Sequence, residues 1–404
     1  MDRIYRLKNV IQPYAWGSRT AIAELLGDPF PSETPQAELW MGAHPKAPSK
    51  VNHKGRWVPL DGLIEANPVS VLGPAAARRF DNHLPYLFKV LAAAEPLSIQ
   101  AHPSRQQAQE GFERENRAGI PMDAPHRNYR DSNHKPEIIC ALTRFWALCG
   151  FRTWVEMRDN LLCYCPDTLS GELERVECFD EPRRIRSLFE TLMTLSDDLR
   201  QVTVAEALSS AEGHGATVPE AFWLKRIGAI YPDDIGVLSP LLLNLVCLDP
   251  GQALFLPAGQ LHAYLEGTGI ELMANSDNVL RGGLTPKHVD LPELMKILRF
   301  EPLAIKRLAL ESIWPGERRY QAPAHEFALS EVKVVGDGTQ YRSAHDRSAD
   351  ILLCTDGSGV IQWGPEGETL PIEKGAAFLA PAGAGVYGIT GNTILYKASV
   401  LLSS

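Results

Sequence analysis

The sequence lacks a disulfide framework, a secretion signal, a membrane-length apolar run and any excess of basic charge. Its 7 cysteines are Cys140, Cys149, Cys163, Cys165, Cys178, Cys247 and Cys354. They are odd in number, scattered and without a Cys-x-x-Cys, which excludes a disulfide scaffold and points to a reducing compartment. Cys163 and Cys165 flank Tyr164 and read as an inert pair rather than a soft-metal clamp. Residues 1–6 carry no apolar stretch of a signal peptide. No apolar run approaches the length of a membrane-spanning helix, so the expected location is cytoplasmic. Lys and Arg number 40 against 49 Asp and Glu, a formal net charge of -9. That balance excludes a broad nucleic-acid or anionic-membrane footprint but leaves room for a local basic pocket. The expected partner is a small molecule; no nucleic acid, membrane or obligate protein partner is expected.

What is present is a long, ordinary globular chain. Its 404 residues suit two or three packed units. With 45% hydrophobic residues it can build large cores unaided. Residues 84–91 read as a strand entering a core, and residues 97–102 alternate apolar and polar with period two. Ser104 reads as a helix N-cap with Gln107 at the capping-box position, opening a solvated helix that closes at Gly119. Residues 137–142 and 241–248 are further strand candidates. Between residues 152 and 232 the period lengthens. Ile185, Leu188, Phe189, Leu192, Leu195 and Leu199 recur at three- and four-residue steps, one face of an amphipathic helix, with Pro182 near its start. This segment is read as a helical insert between β-rich parts.

A repeat organises the rest. Residues 251–262 and 375–386 align without a gap, with Gly251/Gly375, Ala253/Ala377, Pro257/Pro381, Ala258/Ala382 and Gly259/Gly383 identical. Each copy runs glycine, apolar strand, Pro-Ala-Gly turn, next strand, and repetition of such a unit implies two copies of one β-fold. His262 in the first copy becomes Val386 in the second, so the second is expected to be a metal-free structural copy.

Gln100 and His102 lie two apart on a strand pattern and should share a face. Glu137 opens an apolar strand, where an acid needs an exposed end or a buried partner. His262 follows the Pro-Ala-Gly turn. Two imidazoles, a carboxylate and an amide oxygen would suit a divalent ion such as zinc. The chain holds 11 histidines, and spacing alone does not separate this set from His44, His53, His83, His126 or His288.

Longer motifs add a resemblance. Tyr14-Ala15-Trp16-Gly17 and residues 37–45 resemble the N-terminal signatures of type I mannose-6-phosphate isomerases. Residues 97–103, 133–137 and 257–264 resemble that family's metal-binding segments, and residues 275–287 its signature loop. The match runs in order along almost the whole chain. It implies a mainly β fold with a helical insert, two cupin-type jelly-roll β-barrels plus an α-helical domain. Residues 1–151 and 233–300 would form the catalytic cupin domain, 152–232 the insert and 301–404 a degenerate C-terminal cupin domain. It implies one zinc ion per chain held by Gln100, His102, Glu137 and His262.

The implied reaction interconverts mannose 6-phosphate and fructose 6-phosphate by proton transfer between C2 and C1. Asp277, Lys135, His134 and Arg281 are the candidate catalytic groups, with Ser98 and Lys287 the implied phosphate contacts. A structural alternative has Asp277 merely pairing with Arg281 to hold the loop. Trp16 and Trp40 read as core rather than ligand-stacking residues. Two other functions compete: a metal-dependent cupin oxygenase, whose iron favours a 2-His-1-carboxylate triad, and a non-catalytic sugar-binding cupin, since fold does not fix function.

Overall fold

The computed structural model describes residues 1–215, 217–336 and 340–402. Within them the chain is mainly antiparallel β-structure with a cluster of helices, arranged as a 10-stranded and an 11-stranded sheet. The strand expectations hold: the segments fold as Tyr86–Ala93, Ile99–Ala101, Glu137–Ala141 and Leu243–Leu248. All lie in the 10-stranded sheet, whose central member is the long strand His262–Ala274. That strand pairs with four others. Its Gly267–Ala274 part lies along Tyr86–Ala93, Met273 faces Glu137, and His262 pairs with both Gln100 and Cys149.

The second sheet collects the C-terminal strands, but it also recruits the N-terminus. Tyr5 and Arg6 pair with Leu379 and Phe378, and the Lys50–His53 and Arg56–Pro59 hairpin extends the same sheet. The two repeat units occupy equivalent places. Ala253–Leu256 and Ala377–Ala380 are short strands, each followed by a Pro-led turn and a 13-residue strand, His262–Ala274 and Tyr387–Ser399. Gly251 and Gly375 sit at φ 84° and 83°, a left-handed turn that glycine enters without steric cost. The equivalence reaches the neighbouring strands. Leu256 pairs with Glu137, and Ala380, its counterpart, pairs with Asp350. A buried carboxylate thus stands at the same register position in both halves. Asp350 accepts a hydrogen bond from the Tyr387 hydroxyl at 2.9 Å and lies 3.6 Å from Arg347.

The insert is helical from Trp154–Tyr164 through Pro219–Ile230. Its expected amphipathic face is real over Glu181–Met193, where Ile185, Leu188, Phe189 and Leu192 are buried and Pro182 lies in the first turn. The face does not continue to Leu199. The chain breaks at Thr194, a new helix Asp197–Gly213 starts at the Ser196 cap, and Leu199 is 55% exposed. A polar Thr-Leu-Ser stretch with its own capping side chain stops a helix even where apolar spacing continues. The Ser104 capping box is present as expected and opens Arg105–Arg117. Cys163 is exposed and Cys165 buried, so the two thiols face apart.

The insert backs the strands that carry polar residues. Ile99, Ala101, Leu261, Ala263 and Leu280 belong to the same apolar cluster as the insert helices. Strand alternation then turns the residues between them, Gln100 and His262, to the opposite face. Among the described residues, no helix is long and apolar enough to cross a membrane.

Candidate active site and metal centre

Gln100 is the cross-strand partner of His262 on one side and Arg281 on the other, which lines up an amide, an imidazole and a guanidinium in one row. His102 follows the same strand, and Glu137 approaches from the strand across His262–Ala274. The ligand atoms of His102, Glu137 and His262 lie within 4.8 Å of one another, all buried. His102 Nε2 is 3.3 Å from Glu137 Oε1, His262 Nε2 is 3.5 Å from Oε2, and the Gln100 amide is 3.4 Å from His262 Nε2.

The hydrogen bonds around this cluster aim lone pairs inward. His102 Nδ1 donates to the Asn278 carbonyl at 2.8 Å, and His262 Nδ1 donates to the Gln260 carbonyl at 3.0 Å. Both imidazoles therefore carry the Nε2 lone pair toward Glu137, the arrangement by which a backbone carbonyl orients a metal-binding histidine. His102 Nε2 and both Glu137 oxygens are buried without a hydrogen-bond partner. Lys135 Nζ lies 2.8 Å from Glu137 Oε1 as an ion pair outside hydrogen-bond alignment. A buried polar atom left unpaired costs about 1–3 kcal/mol; with Glu137 Oε1 partly met by Lys135, the facing lone pairs of His102 and Glu137 form a cluster that could hold a cation. Rotating the Gln100 amide by half a turn exchanges its oxygen and nitrogen at no steric cost and completes an N₂O₂ donor set that fits zinc.

The electrostatics agree with a metal site. Burial pushes His102 down to about 4, and the Lys135 ammonium adds to the shift, so its imidazole is neutral and its lone pair available. Burial alone would raise Glu137, but Lys135 and the two histidines outweigh it and hold the carboxyl well below its ordinary value. Glu137 is thus ionised where an anionic ligand is needed.

Two loops are stitched together above the cluster by residues that spacing gave no reason to select. Asn278 is 0% exposed. Its Oδ1 accepts from the backbone N–H groups of Arg130 and Asp131 at 2.7 and 3.2 Å. Its Nδ2 donates to the Asp131 and Asn133 carbonyls at 2.8 and 2.9 Å and to Asp131 Oδ1 at 3.2 Å. Asp131 in turn accepts from Ser276 Oγ and the Asp277 N–H. The only sequence signal was the Asn-Ser-Asp-Asn run of the signature loop. Beside the site lies a second unforeseen group: buried Lys89, 2.7 Å from Glu271 and 3.5 Å from Glu38, with the Trp40 indole donating to Glu38. Trp40 is buried as expected, and Trp16 packs against a neighbouring core cluster.

Of the other candidates, His134 and Asp277 line a large cleft of about 1220 Å³, together with His44 and Arg130. Asp277 does not pair with Arg281. It faces Lys46 Nζ at 2.9 Å and His44 Nε2 at 3.6 Å. Burial opposes ionisation of Asp277, yet His44 and Lys46 hold it below the usual carboxylate range. His134 contacts Arg105 and Glu326. Arg281 is half-buried and has no ion-pair partner among the described residues. Burial and then Arg130 lower its pKa, and Lys287 is lowered by desolvation, Arg281 and Arg130. Arg281, Arg130 and the exposed Lys287 are thus three cations lying close together. Ser98 is half-buried at the head of the Ile99–Ala101 strand.

Comparison with known proteins fits this geometry. A model of the phosphomannose isomerase type I catalytic domain matches residues 4–154. The mannose-6-phosphate isomerase of Salmonella typhimurium is 43% identical over 365 residues, 88% of this chain and 90% of that protein. That of Escherichia coli is 42% identical over 384 residues, 93% and 94% of the two chains. A solved, zinc-bound mannose 6-phosphate isomerase superposes with a TM-score of 0.89 at 38% identity, covering 98% of this chain and 99% of that one. Sequence motifs, sheet register and whole-chain similarity converge, and the chain belongs to the type I phosphomannose isomerase family.

Proposed function

We infer that this protein is a zinc-dependent mannose-6-phosphate isomerase, interconverting mannose 6-phosphate and fructose 6-phosphate. The observation that carries the reading is the buried His102–Glu137–His262 cluster, with its unpaired lone pairs, in a chain at least 42% identical to two enzymes of that name over most of its length. We assign one zinc to each chain, held by Gln100, His102, Glu137 and His262. The duplicated strand unit supports two cupin-type jelly-roll barrels. Residues 1–151 and 233–300 would form the catalytic domain, 152–232 the helical insert and 301–404 the degenerate second barrel, to which the N-terminal strand is added.

The reaction moves a proton from C2 of the open-chain aldose to C1 while O1 and O2 exchange protons. Zinc supplies Lewis-acid stabilisation of developing charge, worth several kcal/mol. The protein's own groups do the rest. Arg281, aligned with Gln100, sits where a guanidinium can stabilise an enediolate or grip a phosphate bidentately. Lys287 and Ser98 complete the phosphate contacts, and three neighbouring cations at an anion site explain the absence of a carboxylate partner for Arg281. Asp277, Lys135 and His134 are the proton-transfer groups. Asp277 stays ionised through His44 and Lys46. The isomerase relatives favour this reaction over the oxygenase and non-catalytic readings.

The test is a coupled assay of mannose 6-phosphate conversion before and after chelation, with zinc added back. Activity lost to chelator and restored by zinc is expected. A zinc-loaded protein that does not turn over mannose 6-phosphate would refute the isomerase reading.

A further inference from the structure

Among the described residues the C-terminal half carries no second copy of the metal cluster, yet it reaches the cleft through Glu326. This residue lies two positions before the strand Ala328–Val334, and the intervening Phe327 is locked into the core shared with the N-terminal strands. Glu326 is 3% exposed. Its Oε1 accepts from Arg105 NH2 at 2.6 Å and lies 2.8 Å from His134 Nε2. Arg105 opens the helix three residues after the ligand His102, and His134 lies three residues before the ligand Glu137. One carboxylate oxygen therefore ties together the two segments that bring metal ligands in.

The contact has a chemical consequence. A carboxylate can only accept, so the proton of the His134 imidazole is drawn to Nε2 and the lone pair is left on Nδ1. Arg105 NH2 also lies 2.9 Å from His134 Nε2, but a protonated Nε2 cannot accept from it, and the guanidinium serves to keep Glu326 charged. The His134 ring is only partly exposed and lines the same cleft as Asp277. We propose that Glu326 is a positioning residue of the isomerase site, contributed by the C-terminal half, that fixes His134 as its Nε2–H tautomer with Nδ1 turned to the sugar. This rests on the reading of His134 as a proton-transfer group. It gives the second half a direct part in the reaction: a carboxylate orienting a histidine, as acids do behind catalytic and metal-bound imidazoles.

The experiment compares E326A, E326Q, H134A and the double variant E326A/H134A as zinc-loaded full-length proteins, with a histidine ¹⁵N spectrum of wild type and E326Q. E326A is expected to lower kcat about 10–100-fold with KM nearly constant and zinc content unchanged. E326Q, which still accepts from Nε2–H, should recover part of the loss and keep the tautomer. In the H134A background E326A should do nothing further, because its effect passes through that ring. Full losses that multiply in the double variant would overturn the role of Glu326 while leaving His134 catalytic. H134A with undiminished kcat would overturn the His134 reading and this inference with it. A His134 resonance of the Nδ1–H form would overturn the inference even if E326A failed to fold.

Discussion

Asn278 offers the sharpest quantitative test of the site, because a truncation and an isosteric substitution should fail for different reasons. In N278A the backbone N–H groups of Arg130 and Asp131 lose their acceptor, and the carbonyls of Asp131 and Asn133 lose their donor. Orphaned buried groups cost about 1–3 kcal/mol each, and water entering the vacated space recovers part of that. A net loss of about 2–4 kcal/mol follows. N278D preserves shape and the Oδ1 acceptor. It places a second carboxylate oxygen against the Asp131 carbonyl, Asp131 Oδ1 and the Asn133 carbonyl. Three repulsive contacts and a buried charge beside Asp131 should make it worse than N278A, with partial recovery as pH falls and the new carboxyl takes up a proton to donate. Both variants shift the Asn278 carbonyl that orients His102, and zinc affinity should fall about 10–100-fold. Urea midpoints of the metal-free proteins and competition against a zinc chelator measure the two effects. N278D within about 0.5 kcal/mol of wild type would show that the amide does not bridge the loops as described.

Three further outcomes are expected. K89M should destabilise the protein by about 3–5 kcal/mol in urea unfolding, because it leaves the buried carboxylates of Glu38 and Glu271 without their cation; a neutral result would mean that those acids protonate readily. R281K should keep charge but lose the bidentate fork, raising KM for mannose 6-phosphate about 10-fold; an unchanged KM and kcat would remove Arg281 from substrate recognition. Asp277 is depressed in the folded state by His44 and Lys46, so its stabilising contribution is present above the unfolded value of about 3.9 and lost as pH falls below it. The urea-stability gap between wild type and D277N should persist down to about pH 4.5 and narrow below that; a gap that closes near pH 6 would contradict the Lys46 pairing.

How much of this was legible in the sequence depended on whether information was local. The Ser104 cap, the alternation around Gln100 and the glycine–proline punctuation of the repeat are written within a few residues, and each folded as read. Glu137 and His262 could be suspected from position but not singled out among the histidines without the family motifs. The Leu199 face misled because apolar spacing ran on past a capping serine that ended the helix. Asn278, Lys89 and Glu326 were out of reach. Their partners lie 148, 182 and 192 positions away, and a buried polar residue looks like any surface one until the sheets bring its complement near.

The paired carboxylates, Glu137 and Asp350, show what duplication permits. Both stand at the same register position of equivalent strands, and each poses the problem of an acid without water. In one half the chain answers from within, with the Tyr387 phenol and the nearby Arg347 guanidinium. In the other, Lys135 answers part of it, and the remaining Glu137 and His102 lone pairs face one another in a cluster that could hold a metal ion. A metal ion bound there would meet the rest of that demand. Among the described residues the second half meets that demand with its own side chains.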